Sequence, residues 1–239
     1  MAVIGRVESL WRYPVKSMRG EELSEAFVGA RGIRGDRVYA IHNSAAQKDF
    51  PYWTARQQGK MLLCRPVHRD LDDLTQLDIE APEGERFPIE SEAMIRSLRE
   101  GARDEDQLSL LKSDCALTDA YPVSLISLQT VRQLSAELGA TIDKRRFRAN
   151  IYLDLASPHG FSEDQLLQKR LQIGPAVVIK VAERDVRCKM ITLDPETARP
   201  DPEIMKLVSR AHEQRVGVYG DVIAEGAVQP GYPVLLLDA

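Results

Sequence analysis

With 239 residues, 44% of them hydrophobic and 28% charged, the chain can bury one large core or two modest ones and is too apolar to be disordered. A formal net charge of −4 excludes the basic excess of a nucleic-acid binder, yet a local cluster of Arg and Lys can still hold a small anion. No signal-peptide core or run of membrane-span length is visible, and Cys64, Cys115 and Cys188 share no CxxC spacing, so a cytoplasmic protein in a reducing compartment, without membrane association, is expected.

Taken in chain order, the first third reads as short strands broken by Gly, Pro and Asn. Residues 3–10 alternate polar and apolar, residues 37–42 follow a Gly-Asp turn, and residues 61–67 form a compact apolar run. Residues 74–80 and 85–89 flank Ala81-Pro82-Glu83-Gly84, which predicts a hairpin. From residue 91 to residue 114 the composition turns strongly charged, and the connection between two domains is placed there. Beyond it, Ser127 is positioned to cap a helix with Leu128, Val131, Leu134 and Leu138 at helical spacing and Gly139 at its end. Ser162 followed by Gln165 is a capping-box pattern for a short helix through Leu167. Residues 171–182 read as one strand rich in β-branched side chains, residues 201–211 as a helix, and residues 218–225 and 233–237 as closing strands. Strands outnumber helices and show no βαβ regularity. The expected fold is mixed α/β and β-rich, with a smaller N-terminal domain at 1–115 and a β-barrel domain at 116–239.

The usual catalytic signatures are missing: no P-loop, no GxSxG elbow and no HExxH helix. The glycines of residues 29–35 lead into a strand and read as a turn. His42, His68, His159 and His212 are scattered singly, which makes zinc a poor expectation, and no cysteine cluster suits an iron–sulfur centre. What remains is Cys188 in Glu183-Arg184-Asp185-Val186-Arg187-Cys188-Lys189, where three basic neighbours favour the thiolate, the metal-binding and nucleophilic form. Cys64 lies in an apolar run and reads as a small core residue, and Cys115 lies near the expected connection. On local chemistry alone, a half-exposed structural cysteine suits Cys188 equally well.

Arg187-Cys188 followed by Thr192 and Asp194-Pro195-Glu196-Thr197 resembles the cysteine motif of MOSC domains. Tyr13-Pro14-Val15-Lys16-Ser17, Gly35-Asp36-Arg37 and Thr54-Ala55-Arg56-Gln57 resemble the N-terminal MOSC-associated domain. Phe147-Arg148-Ala149-Asn150, Val216-Gly217-Val218-Tyr219 and Pro230-Gly231-Tyr232-Pro233-Val234 resemble the MOSC barrel. Each motif alone is weak, but in this order they identify the chain as similar to the MOSC proteins that include the mitochondrial amidoxime-reducing component and its bacterial relatives. The resemblance implies a MOSC-type barrel and a molybdenum–molybdopterin cofactor, with Cys188 as the metal ligand and catalytic sulfur. It also implies cofactor contacts from Lys16, Ser17, Arg37, Arg148, Asn150, Arg187 and Tyr219. The implied activity is reduction of N-hydroxylated small molecules, with electrons from a separate reductase or ferredoxin. The same residues suit a non-catalytic cofactor or sulfur carrier, or a barrel that binds another anion. The chain departs from the family pattern at Asp119-Ala120-Tyr121-Pro122, where relatives have Asp-Thr-Ser-Pro, and at Ala149 and Val186, which replace a proline and a serine.

Overall fold

Outward polar and inward apolar residues alternate along the N-terminal segment, and this pattern produces a long strand, Ala2–Arg12, in the computed structural model, which describes residues 1–237. That strand closes a barrel. It pairs antiparallel with Ile151–Leu155 on one side and with Pro233–Leu237 on the other. Among the described residues, seven strands complete the ring, which runs on through Arg170–Ile173, Val177–Val186, Arg215–Ala224 and Val123–Ser127 back to Ile151–Leu155. The final contact is parallel. Val7, Leu10, Leu125, Leu153, Ile179, Val181 and Val218 fill the interior. Removing such side chains from water stabilises the fold by roughly 1.5–3 kcal/mol each. The β-rich, mixed fold expected from the sequence is the one observed.

The first strand belongs spatially to the C-terminal barrel, so a boundary at residue 115 follows the order of the chain and not the pairing of its strands. The last two residues of the 116–239 segment lie outside the described residues. The intervening region has its own core of Tyr39, Ile41, Trp53, Met61, Leu77, Ile79, Ile89 and Met94. The expected hairpin forms between Leu77–Glu80 and Arg86–Pro88, with Gly84 in the turn at φ +93°.

Several expectations need correction. The charged stretch at 91–114 is not a connection. Ser91 Oγ accepts from the Met94 amide and opens helix α1 (Glu92–Ser97), and Leu108–Lys112 pairs with Tyr39–Asn43. The charges occupy exposed faces while Met94 and Leu98 are buried, so polarity marked a surface and not a linker. The run at 171–182 is two antiparallel strands and not one, because Gly174 (φ +59°) and Pro175 turn the chain between Ile173 and Val177. Residues 61–67 begin as a 3-10 turn, Gly59–Leu63, and only Arg65–His68 is strand.

The helices flanking the barrel follow their capping signals. Ser127 accepts from Thr130 N at the start of α2 (Leu128–Leu138), and Gly139 ends it in the left-handed conformation at φ 71°. Asp201 caps α3 (Pro202–Ala211), with proline in its first turn. Both pack on Ile126, Phe147 and Val216. The capping box at Ser162 does not form: Ser162 Oγ has no hydrogen-bond partner, and the segment is a 3-10 turn, Ser162–Leu166. Glu163 turns inward instead and accepts from the Ser127 and Thr130 hydroxyls at 2.7 Å each. A buried carboxylate with two hydroxyl donors outweighs a surface cap. Among the described residues, no helix is long and apolar enough to cross a membrane.

Candidate functional site

Three residues singled out from the sequence are non-glycine positions with positive φ: Ser17 (68°), Arg37 (48°) and Arg148 (52°). Left-handed backbone costs an L-residue roughly 1–2 kcal/mol, so the surroundings must enforce it. Here they do. The Lys16 amide donates to the Tyr39 carbonyl at 2.8 Å, the Arg37 amide to the Tyr13 carbonyl at 2.8 Å, and the Arg148 amide to the Arg145 carbonyl at 3.1 Å. Each turn points its side chain over one end of the barrel, into a common cavity of about 730 Å³ that is partly open to solvent.

All eight residues named from the sequence (Lys16, Ser17, Arg37, Arg148, Asn150, Arg187, Cys188 and Tyr219) line this cavity. Lys16, Arg37, Arg56, Arg146, Arg148 and Arg187 bring six cations, against the two carboxylates of Asp119 and Asp185. The local field therefore favours an anion although the whole chain is acidic.

The cations are not equally free. Arg187 is heavily engaged: Nε donates to the Val216 carbonyl and Nη1 to the Phe147 carbonyl, both at 2.7 Å, and Nη2 forms an ion pair with Asp185 at 2.8 Å without an aligned hydrogen bond. Gly217 passes behind it at φ +75°, where a Cβ would sit 2.7 Å from the Leu125 carbonyl oxygen and 3.2 Å from Arg187 Nη2. Asn150 is similarly engaged, with Oδ1 accepting from the Ser124 amide at 3.2 Å and Nδ2 donating to the Trp11 carbonyl at 3.3 Å. Arg37 pairs with Asp36 and donates to the Arg148 carbonyl at 3.0 Å. Burial opposes its charge, but the Asp36 carboxylate prevails and the Arg37 pKa is raised. Lys16 donates to Asp119 at 2.5 Å and to the Leu117 carbonyl at 2.8 Å, and burial pulls its pKa down despite Asp119. Arg148 differs. Its guanidinium lies 4.3 Å from the Tyr13 ring centre, and Nη2 is buried with no hydrogen-bond partner. Burial pushes its pKa down to about 10.

Cys188 stands at the cavity wall, half-buried, in extended conformation just before the 3-10 turn Lys189–Thr192. The following Asp194 folds back to accept from the amides of Glu196 and Thr197, so the Asp-Pro-Glu-Thr motif is a turn that fixes the chain beyond the cysteine. The three basic neighbours expected to favour the thiolate are engaged elsewhere. Arg184 pairs with Asp164 at 2.9 Å and Glu213 at 3.0 Å, Lys189 Nζ donates to the Arg56 carbonyl at 3.3 Å, and Arg187 is held as described. Each of these side chains already has a partner other than the sulfur. Of the other thiols, Cys64 is buried, which pushes its pKa up to about 11, and Cys115 is exposed.

Sequence reasoning missed Asp185, Asp119 and Phe50 as cavity residues and gave Arg56 no role. Asp185 had only a broken signal: Val177, Ile179 and Val181 are buried, but Glu183 in the same phase is exposed where the register with the next strand shifts, before Asp185 and Arg187 turn inward again. Burial raises the Asp185 pKa to about 6, against the opposing pull of Arg187, and the Tyr219 hydroxyl donates to it. Burial also opposes the charge of Asp119, but Lys16 and Arg56 outweigh it and keep its pKa low. Tyr121 places its ring 6.0 Å from that of Tyr219, so a second phenol stands at the cavity wall.

A pH dependence follows. With its pKa near 6, Asp185 is mostly ionised at pH 7.5 and repels an anion, and it is mostly neutral at pH 5. Among the described lining residues there is no histidine to titrate in that window. Sulfate, whose charge is constant there, is expected to bind the metal-free protein about three- to tenfold more tightly at pH 5 than at pH 7.5 by calorimetry. Asp185→Asn should flatten that profile, and an unchanged slope would show that another group governs it.

Comparison with known proteins agrees with this architecture. The family model for the MOSC domain matches residues 112–235, and that for the MOSC N-terminal beta barrel domain matches residues 4–121. Molybdenum cofactor sulfurase of Drosophila pseudoobscura pseudoobscura is 34% identical over 128 residues, covering 52% of this chain but only 14% of that protein. Mitochondrial amidoxime-reducing component 1 of Mus musculus is 25% identical over 291 residues, covering 98% of this chain and 83% of that protein. The crystal structure of the YuaD protein from Bacillus subtilis superposes with a TM-score of 0.53 at 13% identity, over 96% of this chain and 93% of the other.

Proposed function

The chain belongs to the MOSC family, and from that premise we propose that the cavity holds a molybdenum–molybdopterin cofactor, with Cys188 as protein ligand to the metal, and reduces N-hydroxylated small molecules. The observation that carries this reading is that a free thiol and an arginine with an unpartnered, buried donor, Arg148 with its Nη2, line one cation-rich cavity. The donor set fits the group. A phosphate-bearing pterin needs guanidinium and ammonium donors, and a soft metal takes a thiolate. When bound, the cofactor would supply two-electron redox chemistry for removal of the substrate oxygen.

The protein's own residues do the placing. Arg148 binds the anionic end through its open Nη2, while Lys16 and Arg37 add positive charge from the neighbouring turns. Asn150 and Arg187 act as clamps more than as contacts, because their polar groups already hold the walls of the cavity in register. Asp185, held between Arg187 and Tyr219 with its pKa raised to about 6 by burial, can take up and release a proton at its carboxylate on the acid side of neutrality. The net reaction breaks the N–O bond: two electrons and two protons convert an N-hydroxyl group into N–H and water. The electrons come from a separate reductase or ferredoxin-type donor.

The likeness to sulfurases over about half of the chain favours a second reading, a non-catalytic cofactor or sulfur carrier. One experiment separates them. Protein expressed in a cofactor-producing host is analysed for molybdenum and assayed with a viologen reductant and benzamidoxime. Bound molybdenum with turnover is the expected result. Metal without turnover identifies a carrier, and no metal at all overturns both readings.

A further inference from the structure

Tyr13 opens the motif that supplies Lys16 and Ser17, but its side chain is buried and does not line the cavity. It nevertheless touches both of the other turns that do. Its amide donates to Asp36 Oδ1 and its carbonyl accepts from the Arg37 amide, each at 2.8 Å, while its phenol donates to the Ala149 carbonyl at 3.3 Å. Gly20 lies so close that a Cβ there would sit 2.3 Å from the ring carbon Cε1, and the Trp11 ring stacks at 6.5 Å between centres. The ring is therefore closely confined.

Two cations converge on this one ring. The Arg37 guanidinium carbon lies 4.8 Å from its centre and that of Arg148 4.3 Å. Like charges repel, and more strongly where water is scarce, so something must hold the pair in place. Arg37 also has Asp36 and the Arg148 carbonyl, whereas Arg148 has its Nη2 unpartnered and rests on the ring. The electron-rich face of a phenol attracts a guanidinium, and the attraction grows on desolvation. We infer that Tyr13 is a positioning residue: its ring sets where the Arg37 and Arg148 guanidinium groups stand in the cavity wall, so that both act on one anionic group. This rests on the reading that the cavity holds an anion, but needs neither the metal nor the reaction.

The test measures sulfate binding to the metal-free protein by calorimetry at pH 5, beside its melting temperature. Tyr13→Phe loses the hydrogen bond to Ala149 but keeps the ring, so melting should fall by a few degrees while affinity stays within about twofold. Tyr13→Leu removes the ring, and affinity should fall about tenfold. Phenylalanine analogues with one, three and five ring fluorines at position 13 keep the shape and progressively drain the negative face of the ring. Affinity should drop stepwise along that series, by about tenfold in all, at similar stability. Affinity that is unchanged along the series, or that follows melting temperature instead of fluorine number, overturns the inference. If the wild type binds no sulfate, crystal structures of the metal-free variants decide. Both guanidinium groups should shift in Tyr13→Leu and stay in Tyr13→Phe, and unshifted groups in Tyr13→Leu overturn the assignment. Absence of molybdenum or of turnover would count against the proposed function and leave this result standing.

Discussion

Cys188→Ser is expected to lower turnover of benzamidoxime by the metal-loaded protein at least about 100-fold, while the melting temperature of the metal-free protein shifts by no more than about 2 °C. The two halves have separate causes. The Cys188 side chain makes no capping hydrogen bond and is only half-buried, so exchanging sulfur for oxygen removes little packing and leaves no buried group unsatisfied. Surface-like substitutions of this kind usually stay within about 0.5 kcal/mol. A hydroxyl is a poor substitute for a thiolate at a soft metal, because it resists deprotonation and binds weakly. X-ray absorption at the molybdenum edge supplies the direct readout: one sulfur should disappear from the metal's environment in the variant. Full activity in Cys188→Ser, or an unchanged sulfur count, would remove the residue from the metal site.

Local signals carried most of the legible structure. Ser127 and Gly139 bounded α2, Asp201-Pro202 opened α3, and Gly84 turned the hairpin, because caps and turns are decided by a few adjacent residues. Closure of the barrel by Ala2–Arg12 was not legible in the same way, since its partners lie some 140 and 230 residues away and an alternating strand does not name its neighbours. The split at Gly174-Pro175 was hidden by apolar residues on both sides, and the charged stretch around residue 100 concealed a helix that buries only Met94 and Leu98. The cavity residues were legible as a set because short motifs kept a family order along the chain. Their individual duties were not. Composition gives Arg187 and Arg148 the same guanidinium, and only the fold distinguishes one that donates to the Val216 and Phe147 carbonyls and pairs with Asp185 from one that lies over the Tyr13 ring with its Nη2 left open. The same limit applies to Arg184, whose charge is taken by Asp164 and Glu213 instead of supporting the cysteine.

Arg148→Ala should therefore separate binding from stability in a way that truncating Arg187 cannot. In the metal-free protein Arg148 is held in a left-handed turn, and burial holds its pKa down to about 10, below the arginine range, so its charge opposes folding throughout neutral pH. That cost is fully present below about pH 10 and fades only as the pH rises through that value. Removing the side chain relieves it and forfeits the stacking on Tyr13, two effects of opposite sign. The metal-free melting temperature should accordingly move by less than about 4 °C, or rise. Occupancy behaves differently. A charge-assisted hydrogen bond to a phosphate oxygen contributes about 1.5–3 kcal/mol, so its loss should weaken cofactor binding roughly 10- to 100-fold. Arg148→Lys, which keeps charge without the planar fork, should fall between. Molybdenum content per protein, measured beside calorimetric melting of the metal-free form, decides the matter. A sharp drop in occupancy at unchanged stability marks Arg148 as a ligand-holding donor, whereas a parallel collapse of both would make it a structural residue and remove the observation on which the proposed function stands.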